Sequence, residues 1–487
     1  MQLAVAPIRG MWTPIIHYNC IGNQIVSATN RVLGVTPLPD PAAIDKLQTM
    51  AILLGKRLPK IVPQPLGEFA LAYTGAKRAR YLAAAEDVKV YGVRQRDAKV
   101  TMFIKPDRIN PNEKRNPDPR AIQFRDARYC VALASYLKPI EPHLYNMKFK
   151  APNLGHTRLI AKGLNQYQRA SVLRRKWLRH HRPFAFSIDA SRFDKHVSAL
   201  LLKVEHLVYL QCCSDPKFAD LLNMQLRNYC FTSEGLKYTT DGRRMSGDMN
   251  TALGNCTLMI LMCLVTYLPL GLKFDIFDDG DDCLIICDQS DSDAFRAATL
   301  TMSQFGMVIK IENEATEFEK IIFCQSQPIL TASGWKFCRN PFKVMSNSLV
   351  GQKWCSLNLA GRKTYLNGIA ECETILSKGV PVLYNYGQAL RRSADTKKMA
   401  FDTTLGDYMR YLRELKIRNV DEYVPITLEA RESFSKAFNI EPHEQVAMER
   451  QLDSWKFPLD GDTHEPIYID PKTWDDCRVW IQPNTSQ

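Results

Sequence analysis

The sequence predicts a mixed α+β fold divided into two or three packed units, and three observations predict it. The first is bulk: 487 residues, 45% hydrophobic and 24% charged, have the composition of a globular chain with a large buried interior. Single cores stop growing at roughly 250–300 residues, so a chain of this length divides. The second is the run Pro183-Phe-Ala-Phe-Ser-Ile-Asp189, a strand that ends in a carboxylate. It is followed by Val197, Leu200, Leu201, Val204, Leu207 and Val208 at helical spacing. The third is a pair of apolar runs, Phe274–Phe277 and Cys283–Cys287, flanking a turn placed at Asp279-Gly280, which is a hairpin pattern. The same composition excludes a disordered chain, collagen and a coiled coil.

Each remaining element has its own signal. Over roughly the first sixty residues, stretches such as Pro37-Leu-Pro-Asp-Pro41 predict extended arms around short helices. From Leu66 to Asp87 the pattern is helical and basic through Lys77, Arg78 and Arg80. Lys105 to Arg128 reads as a Pro-punctuated, Arg-rich loop, and Ala127 to Tyr145 as a helix with Val131, Leu133, Ala134 and Leu137 inward. A Gly-rich loop over 241–255 leads into an apolar helix. No fixed-period repeat is present.

The charge is uneven. The chain carries a net +13, composed of −6 over residues 441–487 and +19 over residues 1–440. A basic body favours a polyanionic partner through counterion release, although soluble basic proteins without nucleic acid share that balance. The cysteines include no CxxC pair and no His spaced to complete a zinc site, so they read as reduced thiols. The chain opens without a signal-peptide pattern. The longest apolar stretch, Cys256 to Leu268, precedes Pro269 and is shorter than the roughly 20 residues of a bilayer span. Membrane contact is therefore expected only through a surface or a partner.

Residues 275–293 hold eight Asp and no base. Asp278, Asp279, Asp281 and Asp282 crowd into one turn, where like charges demand a cation. A hard divalent ion with oxygen ligands suits them, Mg²⁺ above all. If the strand ending in Asp189 neighbours the hairpin carrying Asp281, two ions held between them serve an in-line phosphoryl transfer. A Gly-Asp-Asp alone is more often a solvated acidic hairpin or a calcium loop. Order and spacing together point to a metal-dependent nucleotidyl transferase.

With Asp189-Ala-Ser-Arg-Phe-Asp194, Ser246-Gly247 with Thr251 and Asn255, and Gly280-Asp281-Asp282 in that order, the sequence resembles the RNA-dependent RNA polymerases of positive-strand RNA viruses. The resemblance is strongest to the Tombusviridae-like group and covers roughly Ala70 to Pro341. It implies a right-hand polymerase of fingers, palm and thumb, with an antiparallel palm sheet and an N-terminal fingertip arm that closes the hand. The implied division is 1–180 for arm and fingers, 181–335 for the palm with a fingers insertion at about 211–240, and 336–487 for the thumb and acidic tail.

Roles follow from the resemblance residue by residue. Asp189, Asp281 and Asp282 are the implied ligands of two Mg²⁺ or Mn²⁺ ions. Asp194, with Ser246, Gly247, Thr251 and Asn255, reads the ribose 2′-hydroxyl. Taken singly, Asp194 also fits a helix cap, and Thr251 and Asn255 a helix surface. Lys105, Arg108 and Arg120 line the NTP channel, where a guanidinium fork suits phosphate, while Lys114 and Arg115 between them read as solvated. The basic run Arg174 to Arg182 is expected along the path of template and NTP. Lys310 in Phe305-Gly-Met-Val-Ile-Lys310 is the implied proton donor to pyrophosphate, or else an exposed strand-end lysine. Phe323 to Gln327 resembles the hairpin that positions the growing strand, and Arg339 a support for the initiating nucleotide.

The implied partners are an RNA template and product, NTPs, and a viral auxiliary protein that supplies membrane attachment in the host cytoplasm. Related replicases often arise by readthrough, so the chain is expected to be the downstream part of such a product or a differently organised relative. Two rival readings are an inactive RNA-binding protein on a polymerase fold and a reverse transcriptase.

Overall fold

The computed structural model describes residues 14–113, 117–348, 357–401 and 423–457, with Ile8, Gly10–Trp12, Tyr411 and Leu459. Lys114, Arg115 and most of the acidic C-terminal stretch lie outside the described residues. The described strands are β1 (Val100–Ile104), β2 (Ala121–Arg125), β3 (Pro183–Ala190), β4 (Arg227–Phe231), β5 (Lys237–Asp241), β6 (Phe274–Asp278), β7 (Asp282–Asp288), β8 (Ile309–Ala315), β9 (Ser326–Thr331) and β10 (Gly334–Arg339).

The central sheet has the order β6-β7-β3-β8, every neighbour antiparallel. All of β6 is buried, as is β7 from Cys283 to Cys287, which accounts for continuous apolar runs where a half-exposed strand would alternate. Beneath lies the helix Thr251–Tyr267, apolar on every side and therefore buried among other elements. It packs against the helices Pro41–Lys56 and Ala199–Cys212, β6, and the helix Ser292–Leu300. Together they form the largest apolar cluster, which contains Leu47, Leu133, Phe186, Leu261 and Ile285. The segment Thr251–Leu270 has the length and mean hydropathy, 1.8, of a membrane span, but 78% of that window is buried inside the fold.

A second sheet, β2-β1-β4-β5, joins the 100–125 region to residues 227–241, so the stretch after 211 is structurally an extension of the earlier segment. The hairpin β9-β10 leads into the helices Pro341–Asn347, Leu359–Leu376, Leu383–Ala394, Leu428–Phe438 and Pro442–Ser454. Their cluster, including Leu366, Tyr386, Leu390, Phe434 and Leu452, is separate from the larger one. The larger cluster runs from Ala43 to Met307 and the other lies mostly after Ile329.

The helix Ala127–Tyr145 has the bounds that its periodicity predicts, and Asp126 caps it by accepting from the Arg128 amide at 2.8 Å. The expectation of only short helices near the start is corrected by Pro41–Lys56. Asp40 caps it through the Ala42 amide at 2.9 Å, and Pro41 fits its first turn. The N-terminal segment spans the fold: Ile8 joins the C-terminal cluster, the Trp12 amide donates to Ser346 Oγ at 3.1 Å, and Ile15 pairs with Ile109.

Candidate active site

Strand register assembles the first part of the site. Asp189 on β3 stands directly opposite Asp282 on β7 and opposite Lys310 on β8. Directly opposed residues share a sheet face, so these three side chains form one row. Asp189 Oδ2 also accepts from Ser191 Oγ at 3.1 Å. The turn sits one residue later than predicted, because Asp278 remains in β6 opposite Cys283. Gly280 and Asp281 are its central residues, closed by the Asp279 amide donating to Asp282 O at 2.8 Å. Gly280 has φ 101°, a conformation natural only to glycine, and this leaves Asp281 exposed at the tip.

The acidic stretch is mostly neutralised from within, and Lys176, Arg179 and His180 of the run 174–182 face a buried acid instead of the expected channel. Buried Asp275 meets Lys176 at 3.5 Å, His180 at 3.4 Å, and Arg179. Burial lowers Lys176 to about 8 despite the Asp275 charge. Asp288 accepts from the His181 and Arg182 amides at 2.7 and 3.1 Å. Arg174 lies over the rings of Phe318 and Trp335, 4.9 and 5.1 Å from their centroids. Asp279 is paired with Lys162 and Arg169 and accepts from Cys324 Sγ at 3.4 Å. Burial pushes Asp279 up, but Arg169 and Lys162 outweigh it and hold the carboxyl below the usual range. Asp278 is fully buried, and burial raises its carboxyl well above that range.

Asp281 and Asp282 are what remains at the tip. Asp282 is pushed up to about 6, first by desolvation of its carboxyl and then by the charges of Asp281 and Asp279. Among the described residues, no three His, Cys, Asp or Glu side chains converge as a ready-made metal cluster. The chemistry of the donors nevertheless fits a hard cation: oxygen ligands, exposed, with mutual repulsion that a positive ion relieves.

The second part of the site lies beside the tip. Asn255, on the first turns of its helix, donates from Nδ2 to Asp194 Oδ1 at 3.0 Å, so Asp194 is a partner of this helix instead of a cap. Burial raises the Asp194 carboxyl, opposed by Asn255 and Arg244, while the Asp281 charge raises it further. The other predicted sugar readers do not reach Asp194. Ser246 Oγ donates to Ala121 O at 2.9 Å and accepts from the Gln123 amide at 3.1 Å. Thr251 Oγ1 donates to Met245 O at 2.8 Å. Gly247 donates its amide to Gln123 O at 2.7 Å, and a Cβ there would stand 2.7 Å from that oxygen. Ser246 and Gly247 dock the loop on β2, and Thr251 fastens it to its helix.

Of the basic residues, Lys105 and Arg120 share Asp107, at 2.9 and 3.4 Å, and both remain partly exposed. The Arg120 charge contributes a small lowering to the Asp194 carboxyl. Arg108 is half-buried in the same loop. Arg339 is corrected: its guanidinium is buried and held by both oxygens of Glu373, at 3.2 and 2.6 Å, so nucleotide contact there requires breaking a buried pair.

The sequence reading missed Lys162 and Arg169, which neutralise Asp279, and Glu205, which lies fully buried within an apolar helix and pairs with Arg244. An acid flanked by Val204 and Val208 in an inward-facing stripe is the signal that would have found Glu205.

A family model described as viral RNA dependent RNA polymerase matches residues 5–460. The chain is also similar to proteins named RNA-directed RNA polymerase from three plant viruses. With that of Tobacco necrosis virus (strain A) it is 34% identical over 463 residues, 91% of this chain and 62% of the relative. With that of Groundnut rosette virus (strain MC1) it is 32% identical over 458 residues, 91% of this chain and 53% of the relative. With that of Turnip crinkle virus it is 32% identical over 466 residues, 92% of this chain and 59% of the relative. The chain thus spans between half and two thirds of the length of these relatives. A family match across nearly the whole chain, together with an Asp189-Asp282-Lys310 row beside an Asp194–Asn255 pair, makes this chain a member of the viral RNA-dependent RNA polymerase family.

Proposed function

We propose that the chain carries out template-directed RNA synthesis, adding a nucleoside monophosphate from an NTP to an RNA 3′-hydroxyl and releasing pyrophosphate. The observation that carries this reading is the row of Asp282, Asp189 and Lys310 next to the Asp194–Asn255 pair. Asp189, Asp281 and Asp282 would hold two Mg²⁺ or Mn²⁺ ions, which when bound favour the ionised nucleophile and stabilise charge on the leaving oxygen. Lys310, exposed and opposite Asp189, is placed to give a proton to pyrophosphate. Asp194 and Asn255 read the ribose, while Lys105, Arg108 and Arg120 draw the triphosphate in.

In this reading the units are those of a right hand: fingers over 1–180 with 211–240, palm over 181–335, and thumb from 336. The contacts of Ile8 and Trp12 with the C-terminal cluster support an arm that closes it. An auxiliary viral protein supplies membrane attachment in the host cytoplasm. The test is synthesis on an unprimed RNA template with Mg²⁺ or Mn²⁺, offering NTPs and dNTPs separately. RNA product from NTPs is expected; a preference for dNTPs supports the reverse transcriptase, and RNA binding without product supports the inactive binding protein.

Asp282 gives a pH prediction. Its folded value of about 6 lies above the ordinary 3.8, so between these limits the folded state binds more protons than the unfolded chain. Its contribution to stability therefore falls as pH rises through that window. Without divalent ions, Asp282→Asn is expected to raise the melting temperature at pH 7.5 relative to the parent, and to leave it unchanged at pH 4. Equal melting temperatures at pH 7.5 would contradict the crowding of these charges.

A further inference from the structure

We propose that Glu205, Arg244 and Gly254 form a positioning relay that sets discrimination between ribo- and deoxyribonucleotides; this rests on the sugar-reading role given above to Asp194 and Asn255. A guanidinium only donates hydrogen bonds, whereas an amide has one accepting and one donating end. Arg244 Nε donates to Asn255 Oδ1 at 3.0 Å, so the amide oxygen is committed to arginine and Nδ2 must face Asp194 Oδ1. Removing that donor frees the amide to turn its oxygen toward the carboxylate, which destroys the pair. The Arg244 main chain reinforces the arrangement, its amide donating to Asp194 O at 2.9 Å.

Glu205 in turn fixes Arg244. One carboxylate oxygen, Oε2, pairs with Arg244 Nη2, while Oε1 accepts from Tyr209 OH at 2.8 Å and Asn250 Nδ2 at 2.7 Å. The side chains of Glu205 and Arg244 have no exposure, so neither finds water as a substitute partner. Arg244 Nη1 has no hydrogen-bond partner, which leaves its orientation to the bonds from Nε and Nη2. Gly254 provides the room: a Cβ there would collide with both Glu205 Oε1 and Arg244 Nη2. The residue before Asn255 is thus kept small by an ion pair between another helix and the preceding loop, and sugar choice is coupled to a carboxylate that never meets the nucleotide.

The experiment measures kcat/KM for an NTP and its dNTP in Glu205→Gln, Gly254→Ala, Tyr209→Phe and Asn255→Ala, with melting temperatures. The NTP:dNTP ratio is expected to fall about tenfold in Glu205→Gln and Gly254→Ala, as for loss of a charge-assisted hydrogen bond. Tyr209→Phe, which keeps the charge pair, is expected to show a smaller fall in the same direction. A merely structural role would lower both nucleotides alike and leave the ratio unchanged, and that result in Gly254→Ala and Tyr209→Phe overturns the relay even if Glu205→Gln fails to fold. If Asn255→Ala lowers the ratio and these variants do not, the relay alone fails; if Asn255→Ala leaves it unchanged, the underlying reading fails with it.

Discussion

Asp281→Ala is expected to reduce RNA synthesis at least about a thousandfold while the protein melts as the parent does and binds RNA with similar affinity. The size follows from the ligand role proposed for Asp281: a metal ion's charge stabilisation is worth several kcal/mol, and about 4 kcal/mol is a thousandfold in rate. Asp281 is exposed at the centre of the Gly280-Asp281 turn, so its truncation opens no cavity. Its charge also helps to raise Asp282 and Asp194, so the variant brings both carboxyls back toward their ordinary range. Product formation, RNA binding and melting measured on one preparation separate the outcomes. More than about a tenth of parental synthesis would mean that Asp281 is no metal ligand.

The largest expected effect on stability is at Arg125. Its guanidinium is buried and donates to Asp248 at 2.6 and 3.1 Å, to Ala98 O at 2.6 Å and to Asn228 Oδ1 at 2.6 Å. Burial works against its charge, yet Asp248 holds the group above the ordinary arginine value. Arg125→Met leaves Asp248 buried and unpaired, and breaking such a pair costs about 3–5 kcal/mol. The loop that docks Ser246 and Gly247 on β2 loses its anchor with it, so activity should fall too. The double variant Arg125→Met with Asp248→Leu should regain much of the stability, because a well-packed apolar pair is often a neutral replacement. If Arg125→Met unfolds at the parental denaturant midpoint, the pair has no such weight.

Local pattern made the central elements legible. The strand over 183–190, the helix after it, the hairpin and the apolar helix from Thr251 all follow from side-chain period, and the Asp194–Asn255 contact joins two residues that only the family resemblance had linked. What could not be read was pairing over distance. Lys162 and Arg169 neutralise Asp279 from more than a hundred residues away, and Lys176 and Arg179 reach Asp275 from nearly as far. A basic run looks alike in sequence whether it faces a channel or a buried acid. Hydroxyl partners were equally hidden: Ser246 and Thr251 hold main-chain atoms, and nothing in their spacing separates that from contact with Asp194. Arg339 repeats the lesson, since its partner Glu373 lies on a different element, the helix Leu359–Leu376, 34 residues further along the chain.

The helix Thr251–Tyr267 is covered by elements on both sides of it in the sequence: Pro41–Lys56 and Ala199–Cys212 before, β6 and Ser292–Leu300 after. During synthesis it therefore emerges with only half of its shelter present. Until the later strands follow, its remaining apolar sides face water and attract other chains, lipid or chaperones. The helix that presents Asn255 to the site is thus also the segment whose fate on the ribosome governs how much of the protein folds, and release of the chain just after Leu270 should yield an insoluble product.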